Sequence, residues 1–168
     1  MNTLNVSHAG KWRINFSNIP SVSNVTDLKL YENFCKSISI PDQNLDIDEV
    51  YDHNIKRFSI NAKPNTNLSD FQITFKITED MLNYYNLLEY LLQLKSGKVS
   101  TETLKENIIN NISLTSLDNN KRKRGILSFK NCLIHSISSF SLEYGTAEEN
   151  QFTTNWLYEH LIYEKVAI

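Results

Sequence analysis

"NQFTTNWLYEHLIYEKV" (residues 150–166) is rich in aromatic and β-branched side chains, and it reads as a strand. With period two, Phe152, Thr154, Trp156, Tyr158, His160 and Ile162 share one face. Thr153, Asn155, Leu157, Glu159, Leu161 and Tyr163 share the other. Large apolar groups therefore lie on both faces, and the run is long against a usual strand of about 5–6 residues. Such a strand wants cover on both sides.

Outward from this stretch, the same period recurs. "FQITFKI" (71–77) turns Phe71, Ile73, Phe75 and Ile77 inward and Gln72, Thr74 and Lys76 outward. "KWRINFSNI" alternates Trp12, Ile14 and Phe16 with polar residues. "LKLYENFCKSISIP" contains a second extended run, with Phe34, Lys36 and Ile38 broken by polar neighbours and ending at Pro41, and "IKRFSINAK" reads as another strand. "NISLTSLDNNKRKRGILSFKNCLI" reads as strand, polar turn, strand, and "SISSFSLEYG" alternates again. One firm helix is expected at about residues 79–95, within "TEDMLNYYNLLEYLLQLKSG". Thr78 is its expected N-cap, Glu79 and Asp80 sit in the first turn, and Gly97 is a stop. Met81, Tyr85, Leu88 and Leu92 fall on one helix face, flanked by Leu82, Leu91 and Lys95. The expected fold is mainly β: an antiparallel two-sheet barrel or sandwich of seven or eight strands, with one flanking α-helix.

The chain has 168 residues, 40% hydrophobic and 21% charged, which suits a single domain spanning 1–168. A net charge of -2 excludes a generally basic nucleic-acid binder. No apolar run approaches the ~20 residues of a membrane span, and "MNTLNVSHAGKWRINF" has no apolar core behind basic residues. Membrane insertion is not expected, and folding in a cytoplasm is. Cys35 and Cys132 read as buried reduced thiols.

Chemistry-bearing motifs are absent. There is no glycine-rich phosphate loop, G-x-S-x-G, H-E-x-x-H or CxxC, and His8, His53, His135 and His160 have no metal-ligand spacing. No catalytic residue, cofactor or metal is assigned, and the chain is read as a non-enzyme. "DIDEV" has alternate carboxylates but lacks the glycine turn and terminal Glu of a calcium loop, so it reads as a solvated acidic loop. "KRKR" (Lys121–Arg124) lies between turn residues; it is either a solvated hairpin tip or a contact with an acidic partner or phosphates.

Four stretches in order, "WRINFSNI", "FCKSISIP", "FQITFKITEDMLNYYNLLEYLLQL" and "ILSFKNCLIHSISSFSLEYGTAEENQFTTNWLYEHLIYEKV", resemble the tail tube proteins of contractile-tailed bacteriophages and related injection systems. The segment "KVSTETLKENI" after the helix departs from that compact pattern. The resemblance implies hexameric rings stacked into a hollow conduit for genome delivery, within a virion tail assembled in the host cytoplasm. It implies other copies of the chain, a sheath protein, baseplate and tape-measure proteins as partners, with DNA passing non-specifically. It also leaves open a baseplate–tube junction or tail-terminator ring, and outside the family a small β-rich binding module. The second face of the terminal strand is then covered by the helix or by an adjacent subunit.

On this reading, residues 41–54 project as a loop and meet the adjacent ring through Leu45, Asp46, Ile47, Asp48, Glu49, Val50 and Tyr51. The hairpin tip at about 118–125 presents Lys121, Arg122, Lys123 and Arg124 to acidic residues of a neighbour or the sheath. Gln72, Thr74, Lys76, Ser141 and Glu143 are the candidates for the lumen wall, whose net charge is expected at or below zero.

Overall fold

A computed structural model describes residues 11–18, 28–43, 47–52, 55–60, 69–96, 107–140 and 149–166, with side chains described outside 47–52 and 55–60. The elements run β1 (Trp12–Phe16), α1 (Leu28–Phe34), β2 (Cys35–Ser39), β3 (Ile47–Asp52), β4 (Ile55–Ile60), β5 (Ser69–Lys76), α2 (Leu82–Lys95), β6 (Ile109–Leu117), β7 (Lys123–Ile137), β8 (Gln151–Tyr158) and β9 (His160–Lys165). The chain is mainly β, as its periodicity predicts. Seven strands join in one antiparallel sheet ordered β1-β6-β7-β8-β5-β2, with β9 also on β7, and β3 and β4 form a separate two-stranded ladder.

The sheet folds over on itself at one bend. Asn131, in the middle of β7, has φ 55, a left-handed conformation that Asn tolerates better than most residues. Opposite it, Glu159 interrupts the long terminal strand; its N–H donates to the Lys130 carbonyl at 3.0 Å and its carboxylate accepts from the Asn131 amide. Beyond the bend the alternation changes phase. In β8 the buried residues are Phe152, Thr154, Trp156 and Tyr158, but in β9 it is Leu161, opposite buried Phe129, that packs on the core, while Ile162 is exposed. A slip of one residue exchanges the two faces of a strand. The bend therefore explains much of the two-faced apolar pattern at 150–166 without requiring a subunit on each side.

The two halves of the folded sheet face each other across an aromatic core. Phe71 of β5 stacks on Phe129 of β7 at 4.0 Å and 11°, and Phe16 of β1 meets Trp156 of β8 at 6.3 Å. Trp156, Phe71, Phe75, Phe129, Phe152 and Tyr90 are among the largest fully buried side chains; burial of each such apolar group contributes about 1.5–3 kcal/mol.

The extended run expected through Lys36 and Ile38 is β2, and "LKLYENF" ahead of it is a helix that the sequence reading did not foresee. Leu28 and Tyr31 stand one turn apart on the core side, and Tyr31 meets Phe75 edge-on at 5.9 Å and Phe16 at 6.4 Å. Helix α1 thus lies between β1 and β5, near both ends of the strand order. The Phe16 N–H donates to the Glu32 carboxylate at 3.2 Å.

Helix α2 starts at Leu82, after a turn at Glu79–Asp80 and a left-handed Met81 at φ 55. Thr78 is not its N-cap. Asp80 Oδ1 accepts the Leu82 N–H at 3.1 Å, and the buried Asn83 side chain ties helix to strand. Its Nδ2 donates to the Lys76 carbonyl at 2.7 Å, and its Oδ1 accepts from Thr78 N and Oγ1 at 3.2 Å each. The face that packs is Asn83, Leu87, Tyr90 and Leu91; Tyr85 and Leu92 of the expected face are 54% and 55% exposed. At 3.6 residues per turn the face that packs lies on roughly the opposite side of the helix from the expected one; leucines and tyrosines occur on both sides, and the choice is fixed by Asn83 and by the buried Tyr90 hydroxyl, which donates to the Asn107 carbonyl. At the other end Ser96 N–H bonds Leu92 O at 3.0 Å; Gly97 lies outside the described residues.

Candidate functional site

Beyond the core, strands β2, β5, β8 and the second half of β7 turn a polar face outward. Residues directly opposite across antiparallel strands share a face. Ser37, Thr74 and Thr153 therefore form one row, and Ser39, Gln72, Asn155 and Ser136 the next. The rows are internally bonded. Thr74 and Thr153 hydroxyls meet at 3.1 Å, Asn155 Nδ2 donates to Ser136 Oγ at 2.7 Å, and Thr153 N–H donates to Ser138 Oγ at 2.8 Å. Within these two rows the tile is hydroxyls and amides without a formal charge; the same face of β5 runs on to exposed Asp70 at one end and Lys76 at the other, and the Lys36 charge also acts on Glu149.

Lys76 stands at the margin of this tile and is neutralised. Its ammonium lies 2.7 Å from Glu149 Oε2, and this hydrogen bond, with the Lys76 charge, holds the Glu149 carboxyl below its usual range. Three of the expected wall residues, Gln72, Thr74 and Lys76, thus project from one face of β5, alternating with buried Phe71, Ile73 and Phe75. Ser141 and Glu143 lie outside the described residues. Sequence reasoning missed Ser37, Ser39, Ser136, Ser138, Thr153 and Asn155, because only cross-strand register brings them beside Gln72 and Thr74.

The acidic segment is a strand where a loop was expected. Ile47, Asp48, Glu49, Val50 and Tyr51 belong to β3, paired in register from Ile47↔Ile60 to Asp52↔Ile55. Three acidic residues, Asp48, Glu49 and Asp52, break the alternation there and hide the strand signal; only the partner run 55–60 reads as β by itself. Leu45 and Asp46 lie outside the described residues.

The basic run is split by the structure. Lys121, at φ 60, and Arg122 occupy the turn, while Lys123 and Arg124 already belong to β7. Asp118 organises the turn: its Oδ1 accepts the N–H groups of Asn120 and Arg122 at 2.8 Å each. Its Oδ2 holds Arg124 at 2.8 Å, so Arg124 is not among the free cations. The Arg122 N–H, first among several bonds, keeps the Asp118 carboxyl below its usual range.

Among the described residues no His, Cys, Asp or Glu cluster could hold a metal, and no helix is long and apolar enough to cross a membrane. Cys132 is buried and Cys35 only half-buried, and both are free thiols. His135 and His160 are exposed strand residues. Large apolar side chains stay exposed on α2 (Leu82, Tyr85, Leu92) and β9 (Ile162, Tyr163).

This fold, an antiparallel sheet folded over an aromatic core with a helix between β1 and β5, is shared with solved chains from contractile injection systems. The chain superposes on the tube-terminating cap of the anti-feeding prophage with a TM-score of 0.68 at 10% identity, covering 99% of this chain and 95% of that one. It matches a chain of the extended sheath–tube complex of an extracellular contractile injection system, PVC, with a TM-score of 0.63 at 11% identity, over 96% and 93% of the two chains. A chain of the 6-fold symmetrised anti-feeding prophage baseplate matches over 100% of both chains, with a TM-score of 0.60 at 13% identity. No family model and no curated protein matches the sequence.

Proposed function

We propose that this chain is a structural, non-catalytic subunit of the inner tube of a contractile tail or injection device. Six copies form a ring, and rings stack into a hollow conduit. The neutral tile on β2, β5, β8 and β7 carries this reading. A conduit wall must let a long polymer slide, and uncharged hydroxyls and amides, with Lys76 cancelled by Glu149, avoid the phosphate neutralisation that creates affinity for nucleic acid. Gln72, Thr74 and Lys76 then face the lumen. DNA and a tape-measure protein are the cargo proposed for a phage tail. The fold relatives come from a sheath–tube complex, a cap and a baseplate, so a sheath and a baseplate are the proposed partners outside the lumen and at its end. The device is assembled in the host cytoplasm and becomes part of the tail.

The match to the tube-terminating cap, with its TM-score of 0.68, favours a second reading, in which a single ring closes the tube. Negative-stain microscopy of the purified chain separates the two. Stacked tubes are expected from a tube subunit and discrete rings from a terminator. A chain that stays monomeric at high concentration overturns both readings and favours a small binding module.

A further inference from the structure

Strand β9 forms one rim of the folded sheet; among the described residues β7 is its sole strand partner. The Val166 N–H donates to the Arg124 carbonyl at 3.1 Å, and the pairing runs in register from there to Lys130↔His160. Backbone groups alternate sides along an antiparallel strand. His160, Ile162 and Glu164 therefore turn their N–H and C=O groups to β7, and Leu161, Tyr163 and Lys165 turn theirs to the open side. Every residue of the strand except Leu161 is exposed, Ile162 by 41% and Tyr163 by 66%.

The opposite rim is guarded. In β1 the Ser17 N–H on the Asn111 carbonyl at 2.9 Å sets the same alternation, which points the Phe16 N–H away from β6. There the Glu32 carboxylate of α1 accepts it at 3.2 Å. Among the described residues nothing comparable closes β9, which has neither a proline nor a bulge between His160 and Lys165. An edge of this kind accepts a further strand.

The side chains select that strand. Pairing Leu161 with Tyr163 of an antiparallel second copy centres a two-fold axis on Ile162. His160 then meets Glu164, Leu161 meets Tyr163 and Ile162 meets Ile162, so an imidazole faces a carboxylate and apolar groups face apolar groups. Residues directly opposite share a face, and such pairs stabilise a sheet. Moving the axis to Tyr163 sets Ile162 against Glu164 and Leu161 against Lys165. Moving it to Leu161 sets His160 against Ile162. "HLIYE" is thus self-complementary about Ile162 and not about its neighbours.

We propose that β9 is a docking edge for a second copy of this chain, through which free chains pair antiparallel about Ile162. The inference goes beyond the tube reading and does not rest on it. A two-fold contact closes on itself, so it has no place between neighbours related by rotation in a ring, and the dimer is a state of the chain outside a tube. Six strand residues a side, against about 20–30 in a standard interface, make it weak and readily opened.

The test is disulfide trapping by position in the full chain, with diamide as oxidant. A Cys35→Ser background leaves only the buried Cys132 thiol. Directly opposite, non-hydrogen-bonded residues lie about 4.5 Å apart at Cα, within disulfide reach. Ile162→Cys is expected to link to itself. His160→Cys and Glu164→Cys are each expected to stay unlinked alone and to link when mixed. By light scattering the parent is expected to be a concentration-dependent dimer. His160→Glu and Glu164→Lys should each raise its dissociation constant roughly tenfold, and the two together should return it to within about threefold of the parent. All three positions are exposed, and circular dichroism checks that the fold is kept. Tubes, where they form, are pelleted first and the supernatant is read. Soluble parent with no dimer at any concentration overturns the proposal, as does Ile162→Cys linking no faster than Glu164→Cys alone, or a double charge variant no better than the worse single. Stacked tubes with none of these links remove the contact and leave the tube reading standing.

Discussion

Replacing Asn83 by Ala removes a buried side chain that ties the end of β5 to α2. Asn83 is 0% exposed; it donates to the Lys76 carbonyl at 2.7 Å and accepts from the Thr78 N–H at 3.2 Å. The substitution leaves both backbone groups without those partners. A buried group left unsatisfied costs about 1–3 kcal/mol. Both bonds are only partly shielded, so water can recover part of the loss, and the gross cost is about 2–3 kcal/mol. The better helix propensity of Ala returns about 0.5 kcal/mol. The net expectation is about 2 kcal/mol, or a fall in Tm of about 4–8 °C for a chain of this size. Urea unfolding followed by tryptophan fluorescence measures it, with buried Trp156 as one reporter, and an unchanged m-value is required. Asn83→Asp should cost more at neutral pH, because a buried carboxylate cannot donate to the Lys76 carbonyl. A loss within about 0.5 kcal/mol of zero for the Ala variant, at constant m, would refute the account of how α2 is set.

Three further outcomes follow from the same structure. Burial pushes the Cys35 and Cys132 thiols up to about 12, so a thiol-disulfide reagent at pH 8 should label the native chain slowly and both cysteines quickly after unfolding in guanidinium. Gly125→Ala places a Cβ 3.1 Å from Tyr163 Cε2 and 3.3 Å from Ser116 Oγ; because Tyr163 is 66% exposed its ring can swing aside, so a loss of about 1 kcal/mol is expected, absent in a Tyr163→Ala background by thermal melting. Asp80, held down mainly by the Thr78 hydroxyl, Asp118 by the Arg122 N–H and Glu149 by the Lys76 hydrogen bond all have depressed carboxyls. Their contribution is present above the ordinary carboxylate range of about 4 and is lost as pH falls through the lower folded values. Asp118→Asn with Glu149→Gln should flatten the acid limb of a stability–pH curve, and an unchanged limb would show these bonds to be inert.

The sequence made the strands of the main sheet legible where one face is buried. In 71–77 the alternation of Phe and Ile with Gln, Thr and Lys has one physical reading, and β5 obeys it. It failed where two signals overlap. "LKLYENF" runs without a break into "CKSISI", and the β-branched continuation hides a two-turn helix whose identity is set by Tyr31 reaching Phe16 and Phe75. The buried side of α2 was invisible because Leu and Tyr occur on both sides of the helix; a polar residue, Asn83, decides it. The phase change at Glu159 was invisible for a related reason: it depends on Asn131, which is 28 residues away in sequence and adjacent in space. Of the candidate site, Gln72, Thr74 and Lys76 could be read from one strand, but their neighbours on three other strands required register. The basic run was visible, yet its division was not, since Lys123 and Arg124 already belong to β7 and Arg124 is held by Asp118.

The place of β8 in the strand order has a consequence for synthesis. It lies between β7 and β5, and among the described residues it is the strand that links β5 and β2 to the rest of the main sheet. A nascent chain emerging from the ribosome therefore carries a hairpin of β6 and β7 and a detached pair of β2 and β5, each with its aromatic face open to water, until residues 151–158 appear. Pairing over such sequence separations is slow, and the waiting faces are adhesive to one another. Chaperone demand should thus peak late in translation, and a ribosome stalled before Gln151 should hold a chain that binds hydrophobic dyes and is cut readily by protease.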